Sequence, residues 1–218
     1  MVYVGANPFI KSLSLENLAG IFSSNYMGNY HPLSMLSLSL DYKIHKFDPF
    51  VFHLNNILIH IVNSILVLIV LKKLTGKLQI GVIAALIFGV HALHVESVAW
   101  ISERKDVLYT CFFLLSLYCY IRFAPKRTLK WYILCLLFFL LSCLAKGQAV
   151  TLALSLFLID FFLGRKWTEL KILIEQVPFL LLALIFGIVA FHAQKGADAT
   201  IMANFPIQQR VAFASYGL

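Results

Sequence analysis

The sequence predicts an all-α fold, a polytopic transmembrane helix bundle of about six spans. Two observations carry that reading. Of 218 residues, 61% are hydrophobic and 13% charged, whereas a soluble domain is about 45–50% apolar and about 25% charged. The excess apolar surface has to face lipid. Apolar runs then recur at 51–71, 80–95, 107–123, 131–145, 148–163 and 177–192, close to the ~17–25 residues that a membrane helix uses.

Residues 1–50 are mixed and partly polar, and read as a juxtamembrane segment. Ser14 before Glu16-Asn17 signals a short helix start, and Gly28 with His31-Pro32 signals a turn and a second start. Leu33, Leu36, Leu40 and Ile44 recur at helical spacing, with Ser34, Ser37 and Asp41 among them. That pattern predicts an amphipathic helix lying on the membrane surface. The first span, 51–71, carries His53, Asn56, His60 and Asn63 on one helix face. Lipid cannot satisfy those groups, so they are expected to bond neighbouring helices, with His53 near the outer end bordering a site.

The run 131–163 is too long for one span: at 1.5 Å per residue it reaches ~50 Å against a hydrocarbon core of ~30 Å. Lys146-Gly147-Gln148 divides it, and Lys146 can snorkel to the interface. With that division, three basic loops (Lys72, Lys73 and Lys77; Arg122, Lys126, Arg127 and Lys130; Arg165, Lys166 and Lys171) fall on one side. The positive-inside rule makes that side cytoplasmic. Residues 1–50, the 91–106 loop, Lys146 and the segment 193–218 then lie on the outer face. Both ends of the chain are expected to be truncated, with a further C-terminal part after Leu218.

The net charge of +8 is accounted for by those loops, so no nucleic-acid partner is expected. Cys111, Cys119, Cys135 and Cys143 all sit in apolar runs and read as small apolar side chains rather than a disulfide framework. No internal repeat is visible.

Chemistry concentrates in 91–106. His91 and His94 share a helix face, Glu96 follows, and Glu103, Arg104, Lys105 and Asp106 close the stretch. Ionisable groups at a bilayer edge are costly unless functional. The order H-x-x-H-x-E is not the zinc-protease pattern. It suits a divalent cation held through Glu96, magnesium or manganese, or histidines touching a phosphate directly. Arg104 and Lys105 are natural phosphate partners, and Asp106 suits a helix N-terminus.

The stretch 88–106 resembles the H-P-x-H-V-E-S-V-A-W-x-x-x-R-x-D signature of bacterial multi-pass proteins with C-terminal tetratricopeptide repeats, relatives of the transmembrane-and-tetratricopeptide protein O-mannosyltransferases. Asn7-Pro8, Gly28-Asn29-Tyr30-His31-Pro32-Leu33, Phe52-His53-Leu54-Asn55-Asn56, Leu144-Ala145-Lys146-Gly147-Gln148 and Arg210 with Ser215-Tyr216 follow the same pattern in order. Ala92 stands where a proline is usual, and Gly147 where a glutamate is often found.

The resemblance implies a class-C glycosyltransferase architecture in a bacterial inner membrane, with its active site on the periplasmic face. It implies a polyprenyl-phosphate sugar donor, a protein or glycan acceptor, no organic cofactor, and a catalytic acidic residue before Tyr3. On that reading Arg104, Lys105, Lys146 and Arg210 stabilise the leaving phosphate. Glu96 orients the acceptor or a divalent cation, and His91, His94, His53 and His31 bind phosphate or sugar. The rival reading is a non-catalytic scaffold or transporter component of an export assembly, and a transporter predicts an inverted symmetry that this chain does not display.

Overall fold

A computed structural model describes residues 2–5, 7–166 and 169–202. Among them the chain is helical, with one isolated bridge between Tyr26 and Asn29 and no strand. The expected segment 193–218 is described only to Met202, so Arg210 and Ser215-Tyr216 lie outside the described residues.

After α1 (Val2–Gly5) and a 3-10 turn at Pro8–Ile10, α2 (Leu15–Ser23) starts on Ser14, whose hydroxyl accepts from the Asn17 amide at 3.2 Å. That is an N-cap satisfying an orphan donor. Helix α3 (Pro32–His45) starts with Pro at its first position, where a missing N–H costs nothing. Asp48 caps α4 (Pro49–Thr75) and Gly76, left-handed at φ +74°, ends it. Helix α5 (Leu78–Val90) returns beside α4, so closely that a Cβ on Gly81 would lie 2.7 Å from the Leu68 carbonyl oxygen.

The stretch expected as the 91–106 loop is built of short turns: 3-10 at Ala92–His94, α6 (Val95–Ala99), and 3-10 at Ile101–Glu103. Helices α7 (Arg104–Lys126) and α8 (Leu129–Ala145) follow, then a 3-10 turn at Gly147–Thr151, α9 (Leu152–Phe162) and α10 (Leu170–Met202). The last runs past the expected end at 192, to Met202.

Among the described residues, three helices are long and apolar enough to cross a membrane (Pro49–Thr75, Ile101–Lys126 and Leu170–Gln194), and there is a fourth span if α5 and Ala92–Ala99, bent by 53°, count together. The apolar helices Leu129–Ala145 and Gly147–Phe162 are shorter. All are tied into one bundle. Cys119, Tyr120, Phe123, Cys135, Phe139, Cys143, Leu152, Leu156 and Phe179 form its buried core, which gives three of the four free cysteines the apolar packing role their context predicts.

Side-chain contacts order the two ends. Lys146 pairs with Asp106, so the end of α8 meets the start of α7. At the far end, Tyr120 donates to the fully buried Asp160 at 2.7 Å, Arg165 reaches the same carboxylate at 2.7 Å and also pairs with Glu175, and Gln176 donates to Asp160 at 2.8 Å. These contacts lock α7, α9 and α10 together.

One expectation about packing is reversed. Helix α3 does not turn its serines and aspartate to water. Ser34, Met35, Leu38 and Ser39 are buried, while Leu40 and Ile44 are 47% and 70% exposed. The polar side faces the bundle because it finds partners there: Ser34 donates to the Ala145 carbonyl at 2.9 Å, and Ser37 and Asp41 meet Arg104. Leucines facing lipid carry no penalty.

Candidate functional site

At the near end, four separated segments enclose a cavity of about 290 Å³. Each arrives for a local reason. Met27 and Gly28 adopt left-handed conformations in the turn before α3, which delivers His31 as the helix cap. The start of α7 delivers Glu103 and Lys105. Lys146 is extended at φ −159°, which stops α8 and turns its side chain into the site with Gln148. Helix α10 closes the wall with Ala190 and Gln194. It approaches so tightly that a Cβ on Gly147 would stand 2.9 Å from the Ala190 Cβ. A larger residue at 147 would therefore push α10 outward.

The cavity carries both signs of charge. Lys105 Nζ lies 3.1 Å from Glu103 Oε1, both side chains being largely buried. Lys146 pairs with Asp106, whose other oxygen accepts from Ser97 at 3.2 Å, and Lys146 also stands 5.7 Å over the Tyr109 ring. Burial, and then the Lys105 charge, pushes His31 down to about 4, with Lys146 adding to the effect and a hydrogen bond to the Asn29 backbone opposing it. A neutral imidazole thus sits beside two ammonium groups. Such a set has the chemistry to meet an anionic, oxygen-rich group with the lysines and hydroxyl groups with Glu103, His31 and Gln148.

Of the residues predicted from the sequence, His31, Lys105 and Lys146 converge here. Arg104 does not. It is 1% exposed, and four of its five N–H donors are taken. They go to Asn56 Oδ1, to Ser37 Oγ at 2.9 Å, to Asp41 Oδ2 at 2.7 Å and to the Phe52 carbonyl at 3.0 Å. A guanidinium so enclosed ties α7 to α3 and α4.

His53, His91 and His94 line a separate, mainly apolar groove of about 570 Å³ with His60, Val90 and Val98. There the His94 ring lies tilted against Phe88 and His60, with centroids 4.4 and 5.7 Å away, and His91 accepts the Leu93 amide at 3.2 Å. Glu96 is exposed on α6 and borders neither space. The stripe on α4 behaves as interhelical glue. Asn56 donates to the Trp100 carbonyl at 3.0 Å and Asn63 to that of Val107 at 2.8 Å, while His60 Nε2 lies 3.2 Å from the Gly89 carbonyl oxygen.

Sequence reasoning missed the site roles of Glu103 and Gln148, and the buried pairs of Asp41 and Asp160. Glu103 had a signal, standing two residues before Lys105 in a short loop. For Asp41 the partner lies 63 residues away, beyond any local pattern. Among the described residues no three His, Cys, Asp or Glu side chains gather to hold a metal ion. Glu96, the expected ligand, stands on the open surface.

An apolar helical bundle with a charged cavity at its end is compatible with a membrane-embedded enzyme or carrier. The chain belongs to the dolichyl-phosphate-mannose-protein mannosyltransferase family, which matches residues 31–193 and so begins at the cavity histidine. Among curated proteins, Protein O-mannosyl-transferase TMTC3 of Homo sapiens is 31% identical over 143 residues, covering 64% of this chain and 16% of that protein. Protein O-mannosyl-transferase tmtc2 of Xenopus laevis is 37% identical over 143 residues, covering 63% and 17%. Protein O-mannosyl-transferase Tmtc1 of Drosophila melanogaster is 33% identical over 141 residues, covering 64% and 16%. The chain thus spans about a sixth of the length of these relatives. No solved structure matches it.

Proposed function

We propose that this chain carries the donor-phosphate half of a mannosyltransferase site, and that the cavity at its near end takes the sugar-phosphate head of a polyprenyl-phosphate mannose. The carrying observation is the meeting of Lys105 and Lys146, from distant segments, with the neutral His31 at one cavity. In the reaction, an acceptor hydroxyl oxygen bonds the anomeric carbon, the bond from that carbon to the phosphate oxygen breaks, and the lipid phosphate leaves with the electron pair. Lys105 and Lys146 offset the charge that develops on it. Glu103 and His31 hold sugar hydroxyls. The acceptor proton passes to a carboxylate base, which the family resemblance assigns to the stretch before Tyr3.

The same reading takes all six apolar runs as spans of a class-C architecture, with the cavity on the outer, periplasmic or lumenal, face. Support comes from the grouping of loops. Segments 28–31, 103–105 and 146–148, assigned to the outer face by charge alone, share the cavity. Arg127, Arg165 and Glu175, from the loops assigned to the cytoplasm, meet at the opposite end. The inner membrane of a bacterium is the proposed location, and a protein or glycan hydroxyl the acceptor.

Lys105→Met and Lys146→Met in the full-length protein, assayed for transfer from radiolabelled polyprenyl-phosphate mannose, test this. The expected loss in kcat/KM is about 10²–10³-fold for each. Unchanged turnover in both removes the enzyme reading and leaves the scaffold.

A further inference from the structure

Two ties run from the polar face of α3 to the two segments that carry the cavity lysines. Ser34 Oγ donates to the Ala145 carbonyl at 2.9 Å, and Ala145 is the residue before Lys146. Ser37 Oγ accepts from Arg104 at 2.9 Å and Asp41 pairs with it at 2.7 Å, and Arg104 is the residue before Lys105. Ser34, Ser37 and Asp41 stand at i, i+3 and i+7, one stripe of a rigid helix. Arg104 is anchored from behind by Asn56 and the Phe52 carbonyl of α4, so it cannot yield toward α3 without leaving buried acceptors empty. The ends of α7 and α8 also touch directly, Ser142 Oγ donating to the Tyr109 carbonyl at 2.9 Å and Lys146 pairing with Asp106, and α3 braces that contact from a third element.

We propose that the Ser34–Ser37–Asp41 stripe of α3 is a positioning device that fixes how far apart Lys105 and Lys146 stand, and so sets the fit of the cavity for a phosphate-linked head group. The three residues are positioning residues: none lines the cavity. The proposal rests on the donor-site reading above, and its test separates the two.

Full-length protein in nanodiscs is titrated with undecaprenyl phosphate, with melting temperature and the His31 imidazole titration, by NMR, read in parallel. Ser34→Ala and Ser37→Ala weaken lipid-phosphate binding by about three- to tenfold while the protein stays folded, as loss of one hydrogen bond allows. Ser34→Thr, which keeps the hydroxyl, binds within about twofold of the parent. Asp41→Asn has the largest effect. Loosening that wall admits water, so His31 titrates above its present value of about 4. Lys146→Met is the control for the reading itself. If Lys146→Met loses binding but the serine variants keep the parent affinity and His31 titration, the stripe is structural only and the proposal is overturned. If Lys146→Met binds normally, the donor-site reading fails, and an unmoved His31 titration in the serine variants then overturns the positioning role by itself.

Discussion

At the far end of the bundle, Arg165 is gripped by Asp160 and Glu175, with Tyr120 and Gln176 closing on the same Asp160 carboxylate. At the near end, Lys105 and Lys146 each face one carboxylate, across a cavity of about 290 Å³. Both ends hold ion pairs largely withdrawn from water, with a guanidinium at the far end and two ammonium groups at the near end. They differ in what the charges touch. Asp160 is wholly enclosed and its two oxygens are divided among three protein donors. The near-end lysines keep part of their donor capacity turned toward open space. A saturated cluster holds helices together, whereas an unsaturated one can exchange a carboxylate partner for a ligand.

Substitutions at the two ends sharpen or break that contrast. Asp160→Ala leaves the Arg165 charge short of a partner inside the bundle, and is expected to destabilise the protein by about 3–5 kcal/mol. It should leave kcat/KM per folded molecule within about twofold. Denaturant titration in detergent, with activity corrected for folded fraction, measures both. A large activity loss at unchanged stability would erase the distinction between the ends.

Next in size is a pH effect confined to the near end. The unfolded chain protonates His31 as pH falls through 6.5, while the folded chain does so only near 4. Stability is therefore complete above 6.5 and is lost as pH falls toward 4, by about 3 kcal/mol at the limit. His31→Gln should flatten thermal stability over that interval. An unchanged pH slope in the variant would mean that His31 is not the group responsible.

The smallest effect is expected in the histidine groove. His91→Ala and His53→Ala should change kcat/KM by less than about threefold, because these rings line an apolar space away from the cavity lysines. A loss of about 100-fold in either would move the phosphate site to the groove.

The contrast also shows what could be read from residues in order. Helix starts at Ser14 and Pro32 were legible because caps and first-turn prolines are local chemistry. So was the interruption at Lys146, a charge stranded between two apolar runs. The interhelical role of Asn56 and Asn63 followed from their spacing, since lipid offers an amide nothing.

The site itself was only half legible. His91, His94 and Glu96 dominate the sequence by proximity, yet the turn at Ala92–His94 directs the two histidines to the groove and leaves Glu96 on the surface. Arg104 was conspicuous, but its burial depends on Asp41, supplied by a helix whose two faces look equally plausible outward when the surroundings include lipid. Periodicity tells which residues share a face, and the partners across the bundle decide which face turns inward.

The central claim is that the near-end cavity, and not the histidine groove, receives the lipid phosphate. Photo-crosslinking with a polyprenyl phosphate carrying a diazirine next to its phosphate, followed by peptide mapping of the full-length protein, tests it most directly. Adducts are expected on segments 28–31, 103–105 and 146–148. Adducts restricted to 53–60 and 89–99 would contradict the account.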